Sequence, residues 1–143
     1  MGKRFAQGTQ LRMGDGAEPE VFTKVAYVKD IPLPSSSTDL IDVTDHDSPG
    51  GRKEYIGGLI DSDEMTITIN WDAENATHEA LEDGLGDLIN WEIELNNKLV
   101  TKGTTYAFAA VLRSFKPKAP VNGVYEADIT LKPSGSVTKT PAS

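Results

Sequence analysis

The residues best suited to acid–base or metal chemistry in this sequence are two histidines with acidic neighbours. His46 lies between Asp45 and Asp47, and His78 precedes Glu79. Imidazole and carboxylate groups bind zinc, but such a site needs three or four ligands held firmly, and the zincin spacing of two histidines around a glutamate is absent. His46 also falls in a stretch of turn residues, where a solvated histidine is the simpler interpretation.

Closely spaced carboxylates are the second candidate for chemistry. Residues 61–64 (DSDE) lack the glycine and the terminal glutamate of a calcium loop. Glu92 and Glu94 could mimic a glycosidase pair, but they share one face of an expected strand that has no obvious substrate cleft. The chain has no cysteine, which excludes disulfides, thiolate zinc sites and cysteine nucleophiles. The sequence therefore predicts neither an enzyme nor a site for a metal or cofactor.

The elements that would position these residues are mainly strands. Apolar and polar residues alternate along residues 65–71, 91–95 and 125–131, which is the period of a half-buried strand. Residues 106–115 are apolar on both faces and predict a central strand, with a slip in phase near Ser114 and Phe115 that indicates a bulge. Residues 21–28 and 40–44 add two more strands, and the last strand is expected to end at Pro133.

One helix and three irregular segments complete the prediction. Residues 72–85 place Ala76, Ala80 and Leu81 at helical spacing, with Asp72 as the expected N-cap. Residues 1–20 predict an extended N-terminal arm, and a cluster of turn residues predicts a long loop at about residues 45–60. The fold class is therefore mainly β: a β-sandwich or β-barrel of six or seven strands with one flanking α-helix. Its domain spans residues 21–133, and residues 134–143 form a C-terminal tail.

Composition and charge exclude several classes of protein. The chain has 143 residues, about one domain, and its 14 Lys and Arg against 22 Asp and Glu give a formal net charge of −8. This balance disfavours tight binding to nucleic acid, which depends on cationic groups, and docking on anionic membranes. No apolar run approaches the ~20 residues of a membrane span, and the polar first ten residues do not resemble a signal peptide.

The charge is distributed unevenly along the chain. From Glu54 to Asn97 the sequence has twelve acids and no Lys or Arg, whereas Lys3, Arg4 and Arg12 make the start basic and the sequence from position 113 onward is again mainly basic. One interpretation is a solvated acidic face. The other is a surface selected for its sign, with complementary ends that contact other copies of the chain.

The order of motifs along nearly the whole chain resembles that of the major tail tube proteins of long-tailed bacteriophages of the siphophage type. The motifs are residues 5–9 (FAQGT), the strand and proline segment at 25–34, residues 41–48 (IDVTDHDS), residues 55–61 (YIGGLID), the strand that ends at 70–72 (NWD), the helix with His78 and Leu81, the strand at 91–95, and residues 125–135.

The resemblance implies a structural subunit with no catalytic, cofactor or metal site. Members of this family form hexameric rings that stack into a hollow tube, through which double-stranded DNA passes into the host. Their fold is related to the tube proteins of contractile tails and of type VI secretion. The implied partners are other copies of the chain and the tape measure, terminator and tail-tip proteins. The implied location is the phage tail of the virion, after synthesis in the host cytoplasm and without membrane insertion.

The resemblance also assigns expected roles to residues. An anionic lumen would repel phosphate, and the polar faces of the alternating strands supply its candidates: Glu64, Glu92, Glu94, Glu126 and Asp128. The candidates for ring stacking lie in the long loop: Asp45, His46, Asp47, Arg52, Lys53 and Tyr55. The candidates for arm contacts with neighbouring copies are Lys3, Arg4, Phe5 and Arg12.

Two alternative functions stay open on the sequence. The chain could be a monomeric acidic β-barrel that binds a ligand or acts as an adaptor, which predicts a compact monomer at all concentrations. Within phage tails, it could instead be a tail terminator or the inner tube protein of a contractile tail.

Overall fold

The structure is a computed structural model that describes residues 7–143, so the predicted arm contacts Lys3, Arg4 and Phe5 lie outside the described residues. The elements of this part of the chain are β1 (Gln10–Gly14), β2 (Phe22–Lys24), β3 (Val28–Asp30), β4 (Ser36–Asp42), β5 (Tyr55–Ser62), β6 (Met65–Asn70), α1 (Ala76–Asp83), β7 (Leu88–Glu94), β8 (Thr105–Lys118) and β9 (Glu126–Thr140). The mainly β fold class with one helix is confirmed. The strands number nine over residues 7–143, rather than six or seven. The predicted strand at residues 21–28 is divided into β2 and β3, and two further strands, β1 and β5, begin in the predicted arm and the predicted loop.

Seven strands form one antiparallel sheet in the order β2-β1-β7-β8-β9-β6-β3, and β4 and β5 form a separate hairpin. Residues 105–111 of β8 pair with β7, while β9 accompanies β8 along its whole length, with a register shift between Leu112 and Ser114. This shift is the predicted bulge, and a bulge bends the strand that carries it. Side chains from both halves of the sheet meet in one core. The sheet is therefore folded over its own core like a sandwich and is not a closed barrel.

The predicted alternation places the core side chains correctly. Met65, Ile67 and Ile69 of β6 are buried, as are Trp91 and Ile93 of β7, while their neighbours in sequence face outward. Each fully buried Ile or Leu contributes roughly 2 kcal/mol of hydrophobic free energy. Together with the buried residues of β8 and β9, these side chains form the core that holds the two halves of the sheet together.

The two edge strands of the sheet, β2 and β3, are joined by only three residues, 25–27. The helix closes this seam through its side chains. The Ala26 N–H donates to Thr77 Oγ1 at 3.2 Å, and the Ala26 carbonyl lies 2.7 Å from His78 Nε2. His78 Nδ1 accepts a hydrogen bond from the Asp72 N–H at 2.9 Å. Nε2 therefore carries the ring proton and donates it to the Ala26 carbonyl. His78 is a fully buried structural residue.

Three predicted boundaries differ from the structure. Residues 10–14 of the predicted arm form β1, an interior strand between β2 and β7, because Leu11 and Met13 pack inward. Residues 55–60 of the predicted loop belong to β5, so the connection that follows β4 is shorter. The predicted tail continues β9 to Thr140, and Pro133 lies within that strand. There β9 pairs only with β8, and an edge strand tolerates a proline.

The predicted N-cap of the helix is also wrong. Asn75 caps α1, and its side-chain oxygen accepts a hydrogen bond from the Thr77 N–H at 2.9 Å. Asp72 instead accepts from the Glu74 N–H in the turn before the helix. Asn and Asp both cap helices well, so the type of residue does not determine which of the two is the N-cap. The contacts of α1 with Ala26 determine it. His78 has to lie over Ala26, and this fixes where the helix begins.

Replacing His78 with alanine should lower the free energy of unfolding by about 3 kcal/mol, because it leaves a cavity and deprives the Ala26 carbonyl and the Asp72 N–H of their partners. Urea unfolding monitored by tryptophan fluorescence measures this loss. His46→Ala, in an exposed loop, is the matched control and should change the free energy by no more than about 0.5 kcal/mol. Equal effects of the two variants would contradict the role of His78 at the seam.

Candidate assembly surfaces

The β4–β5 hairpin projects from the sheet and exposes apolar side chains. All seven residues of β4 are exposed. The cross-strand register places Leu40 and Tyr55 on one side of the ribbon and Ile41 and Ile56 on the other. Leu59, at the irregularity of the ribbon, is 91% exposed. An isolated two-stranded hairpin is marginal in water, and one with apolar groups on both sides is suited to contact with another molecule.

The base of the hairpin is anchored to the folded sheet by polar contacts. The Asp63 N–H donates to the Ser35 carbonyl at 2.9 Å, and the Lys132 ammonium lies 3.2 Å from the Asp61 carboxylate. The hairpin thus continues the β3–β6 pair beyond the sheet. Among residues 7–143, these contacts support the base of the hairpin and leave its far part without support.

The connection between β4 and β5 carries the predicted ring-stacking residues. Asp45, His46, Asp47, Arg52 and Lys53 are exposed in it or at its 3₁₀ turn (Pro49–Gly51), and Tyr55 begins β5. At its start, hydrogen bonds from the side chain and backbone of Thr44 lower the pKa of Asp42. These residues lie together at the tip of the hairpin, far from the core, where a neighbouring copy could reach them.

The outer face of β6 and of the first half of β9 is polar, and its carboxylates are paired within the chain. Glu64 pairs with Arg113. Glu126 lies 3.6 Å from Lys29 and 3.9 Å from Lys118, which is also 3.6 Å from Asp128. Three of the five predicted lumen residues, Glu64, Glu126 and Asp128, therefore share this face, which we call the β6–β9 face.

The other two predicted lumen residues lie on a different face, outside β1 and β7. Arg12 pairs with both Glu92, at 3.2 Å, and Glu94. Arg12 was predicted to contact neighbouring copies from a free arm, but it lies on β1 and its side chain is only 18% exposed. The structure thus does not bring the five carboxylates onto one surface.

Carboxylates without an ion pair in residues 7–143 are concentrated elsewhere, on and around α1 and on the hairpin. Around the helix they are Asp72, Glu74, Glu79, Glu82, Asp83 and Asp87. The described part of the chain contains no group of three or more His, Cys, Asp or Glu side chains placed to hold a metal ion. Within the same residues, no helix has the length and apolar character that crossing a bilayer requires.

Sequence reasoning missed the apolar hairpin, although a signal was present. Leu40 and Ile41, like Leu59 and Ile60, are consecutive apolar residues, and neither pair fits a strand with one buried face. Strands with apolar groups on both sides are typically covered on both sides, and no other part of residues 7–143 covers this hairpin.

Comparison with known proteins identifies the family. A family model described as "Phage tail tube, TTP, lambda-like" matches residues 3–97. The chain belongs to this family. Membership makes it a structural component of a phage tail rather than an enzyme. No curated protein matches the chain.

Solved structures share the fold of this tail tube protein across nearly the whole chain. The tail of an empty GTA particle, determined with helical refinement and C6 symmetry, matches with a TM-score of 0.78 at 15% identity, and covers 96% of this chain and 99% of that one. The SPP1 tail tube matches with a TM-score of 0.72 at 18% identity, over 97% and 80% of the two chains. A sheath/tube terminator of the PVC extracellular contractile injection system matches with a TM-score of 0.73 at 16% identity, over 98% of each.

Replacing Arg12 of the tail tube protein with alanine should lower the free energy of unfolding by about 2 kcal/mol. The change leaves Glu92 and Glu94 as neighbouring half-buried carboxylates with no cation between them. Urea unfolding at low salt measures the loss. The triple variant with Glu92→Gln and Glu94→Gln as well should regain most of the stability. A triple variant as unstable as Arg12→Ala alone would show that packing of the arginine side chain, and not charge, is responsible.

Proposed function

We propose that this tail tube protein forms hexameric rings, and that the rings stack into a hollow tube that conducts double-stranded DNA into the host. Membership in the tail tube family supports the tube. The six-fold order is supported by the GTA tail, whose structure shares this fold and was refined with C6 symmetry. The other tail proteins that cap or nucleate such a tube are then its partners in the virion.

The exposed apolar surface of the β4–β5 hairpin carries the proposal. Seven large apolar side chains of the hairpin and its immediate flank are exposed in the single subunit: Leu40, Ile41, Val43, Tyr55, Ile56, Leu59 and Ile60. Apolar patches of this kind on a soluble subunit mark contacts with another protein. The same residues argue against the alternative of a monomeric adaptor, because a permanent monomer would leave them in water.

The edges of the sheet offer a second way to join subunits. Within residues 7–143, residues 114–118 of β8 pair only with β9, and β3 pairs only with β6, so both carry backbone groups on their outer sides that no strand of this range pairs with. Free edges of this kind pair readily with another chain. Joining these edges around a ring would extend the β6–β9 face into a continuous wall.

We assign the lumen to the β6–β9 face because it is the face suited to permanent contact with water. Its outward residues are all polar or charged: Thr66, Thr68, Asn70, Glu126, Asp128, Thr130 and Lys132. The outward residues of the first half of β8 are instead Ala107, Ala109 and Val111. In this arrangement Glu64, Glu126 and Asp128 line the tube, and Glu92 and Glu94 do not.

The ion pairs of this face explain how DNA could pass without being held. Glu64, Glu126 and Asp128 each form an ion pair with a Lys or Arg of the same chain. These cations are therefore not free to replace the counterions of DNA phosphates. Lys116 is the cation of this face that has no ion pair within residues 7–143. A wall of compensated charges therefore offers phosphate few places to bind.

Replacing both Leu59 and Ile60 with aspartate should abolish the tube while leaving the subunit folded, because both side chains are exposed and contribute to contacts only in the assembly. Electron microscopy of the full chain, with a nucleating tail-tip complex present, tests this. The unmodified chain should form six-fold tubes, and the variant should stay dispersed with an unchanged circular dichroism spectrum. Leu85→Asp, half-exposed after α1, is the control and should assemble. Unmodified chains that stay monomeric at all salt concentrations would refute the proposed function.

Replacing Glu126 with glutamine and Asp128 with asparagine should make tubes retain DNA. The change frees Lys29 and Lys118 on the proposed lining, and retention of a short duplex should rise about tenfold at low salt and fall steeply as salt is added. The matched control is Glu92→Gln with Glu94→Gln, which frees Arg12 on the other face. Retention by the control variant alone would place the lumen on the β1–β7 side.

A further inference from the structure

A groove of about 820 Å³ lies between α1 and the strands β1 and β7. The apolar part of its lining, which we call its inner surface, is formed by Met13, Val25, Ala76, Ala80, Leu88 and Ile89. Leu88 is 61% exposed in the single subunit. The groove therefore presents apolar surface to solvent at the place where the helix meets the sheet.

The rim of this groove is acidic. Asp15, Glu20, Asp83 and Asp87 line it, and no lining residue is Lys, Arg or His. Asp83 and Asp87 make no ion pair with the described part of the chain. An occupant with an apolar or aromatic group next to cations would match both the inner surface and the rim.

Two of the rim carboxylates are held in place before any partner arrives. Asp15 accepts hydrogen bonds from the Ala17 N–H at 2.9 Å and from the Val21 N–H at 3.1 Å, and these bonds lower its pKa. Glu20 accepts from the Gly16 N–H at 3.0 Å and from the Asn90 side chain at 2.9 Å. Carboxylates fixed in this way lose less conformational entropy when a cation binds.

One segment of this chain has the matching chemistry. Lys3 and Arg4 stand directly before Phe5, and residues 1–9 contain no acid. The other adjacent pair of cations in the chain, Arg52 and Lys53, is followed at once by Glu54. Residues 3–5 are therefore the best match to an apolar groove with an acidic rim.

The direction of β1 indicates which copy supplies the segment. β1 begins at Gln10, which pairs with Glu94, and ends at Gly14, which lines the groove. The Gln7 carbonyl accepts a hydrogen bond from the Asn96 side chain, so the chain enters still farther from the groove. Gln10 and Gly14 are about 14 Å apart along a strand. Gln7 therefore lies at the end of the subunit opposite the groove. Residues 3–5 precede Gln7 by two to four residues, a reach of at most about 14 Å, which is too short to bring them to the groove of their own subunit.

We propose that residues 3–5 of one subunit dock in the groove between α1 and β1 of a subunit in the adjacent ring. Phe5 covers the apolar inner surface, and Lys3 and Arg4 pair with the rim carboxylates. This inference rests on the proposed function, because it assumes stacked rings. The two partners of such a contact are different surfaces at opposite ends of the subunit. The contact therefore propagates along one direction and does not close.

A charge-reversal series in the full chain tests the docking. The groove variant, Asp83→Lys with Asp87→Lys, and the segment variant, Lys3→Glu with Arg4→Glu, should each reduce the yield of nucleated tubes about tenfold, since each replaces attraction by repulsion. Combining the four substitutions should restore the yield. The matched control is Glu74→Lys with Glu82→Lys, which makes the same charge change on exposed residues that do not line the groove.

Crosslinking identifies the occupant directly, because the chain has no cysteine of its own. Ala6→Cys with Ala80→Cys, treated with a short bis-maleimide in assembled tubes, should give a ladder of linked subunits. Ala6→Cys with Glu74→Cys should not. Linkage only within one subunit, or ladders only from Leu59→Cys with Ala80→Cys, would overturn the inference, the latter by placing a neighbour's hairpin in the groove.

The outcomes separate this inference from the proposed function. If the unmodified chain forms tubes and the groove and segment variants assemble equally well, the docking is wrong and the tube stands. If the unmodified chain forms no tube with the nucleating complex present, the proposed function is wrong and the docking is wrong with it.

Discussion

A seven-stranded sheet can enclose a core only if its two edges are brought together. In this subunit a connection of three residues holds the two edges close to each other. Residues 25–27 connect β2 at one edge to β3 at the other, and both backbone polar groups of Ala26 are bonded to side chains of α1. Since a buried backbone group without a partner is costly, the helix cannot leave the seam without penalty. The position of α1 follows from this contact, and so does the groove between the helix and β1.

The chain has a net charge of −8, and its paired and unpaired carboxylates lie on different parts of the surface. On the outer faces of the sheet, Glu64, Glu126 and Asp128 on one side and Glu92 and Glu94 on the other pair with cations of the same chain. The surplus of acid lies on α1, around the groove and on the hairpin. In the proposed assembly this separation has a purpose at each place: compensated charge where DNA passes, and unpaired charge where another subunit docks.

The sequence predicted the parts of the fold that are fixed by local pattern. Alternation located β6 and β7 and their buried residues, and the break in phase at Ser114 located the bulge in β8. The order of motifs identified the family. The cap at Asn75 and the strand β1 could not be predicted in this way, because each is set by contacts with distant residues. Thr77 and His78 contact Ala26, and β1 packs Leu11 and Met13 against the core and pairs with β7. The five predicted lumen carboxylates were grouped by the polarity of their strands, but which strands share a face depends on how the sheet folds over.

The weak support of the β4–β5 hairpin has a consequence for the timing of assembly. A ribbon that few contacts stabilise in the free subunit loses conformational freedom when it joins a neighbour, and this loss opposes the first encounter between two free subunits. In the proposed assembly a finished ring offers several receiving sites at once, so adding a subunit to a ring is favourable while starting a ring is not. Subunits built in this way would accumulate without polymerising until a template appears, and the template would then decide where each tube begins.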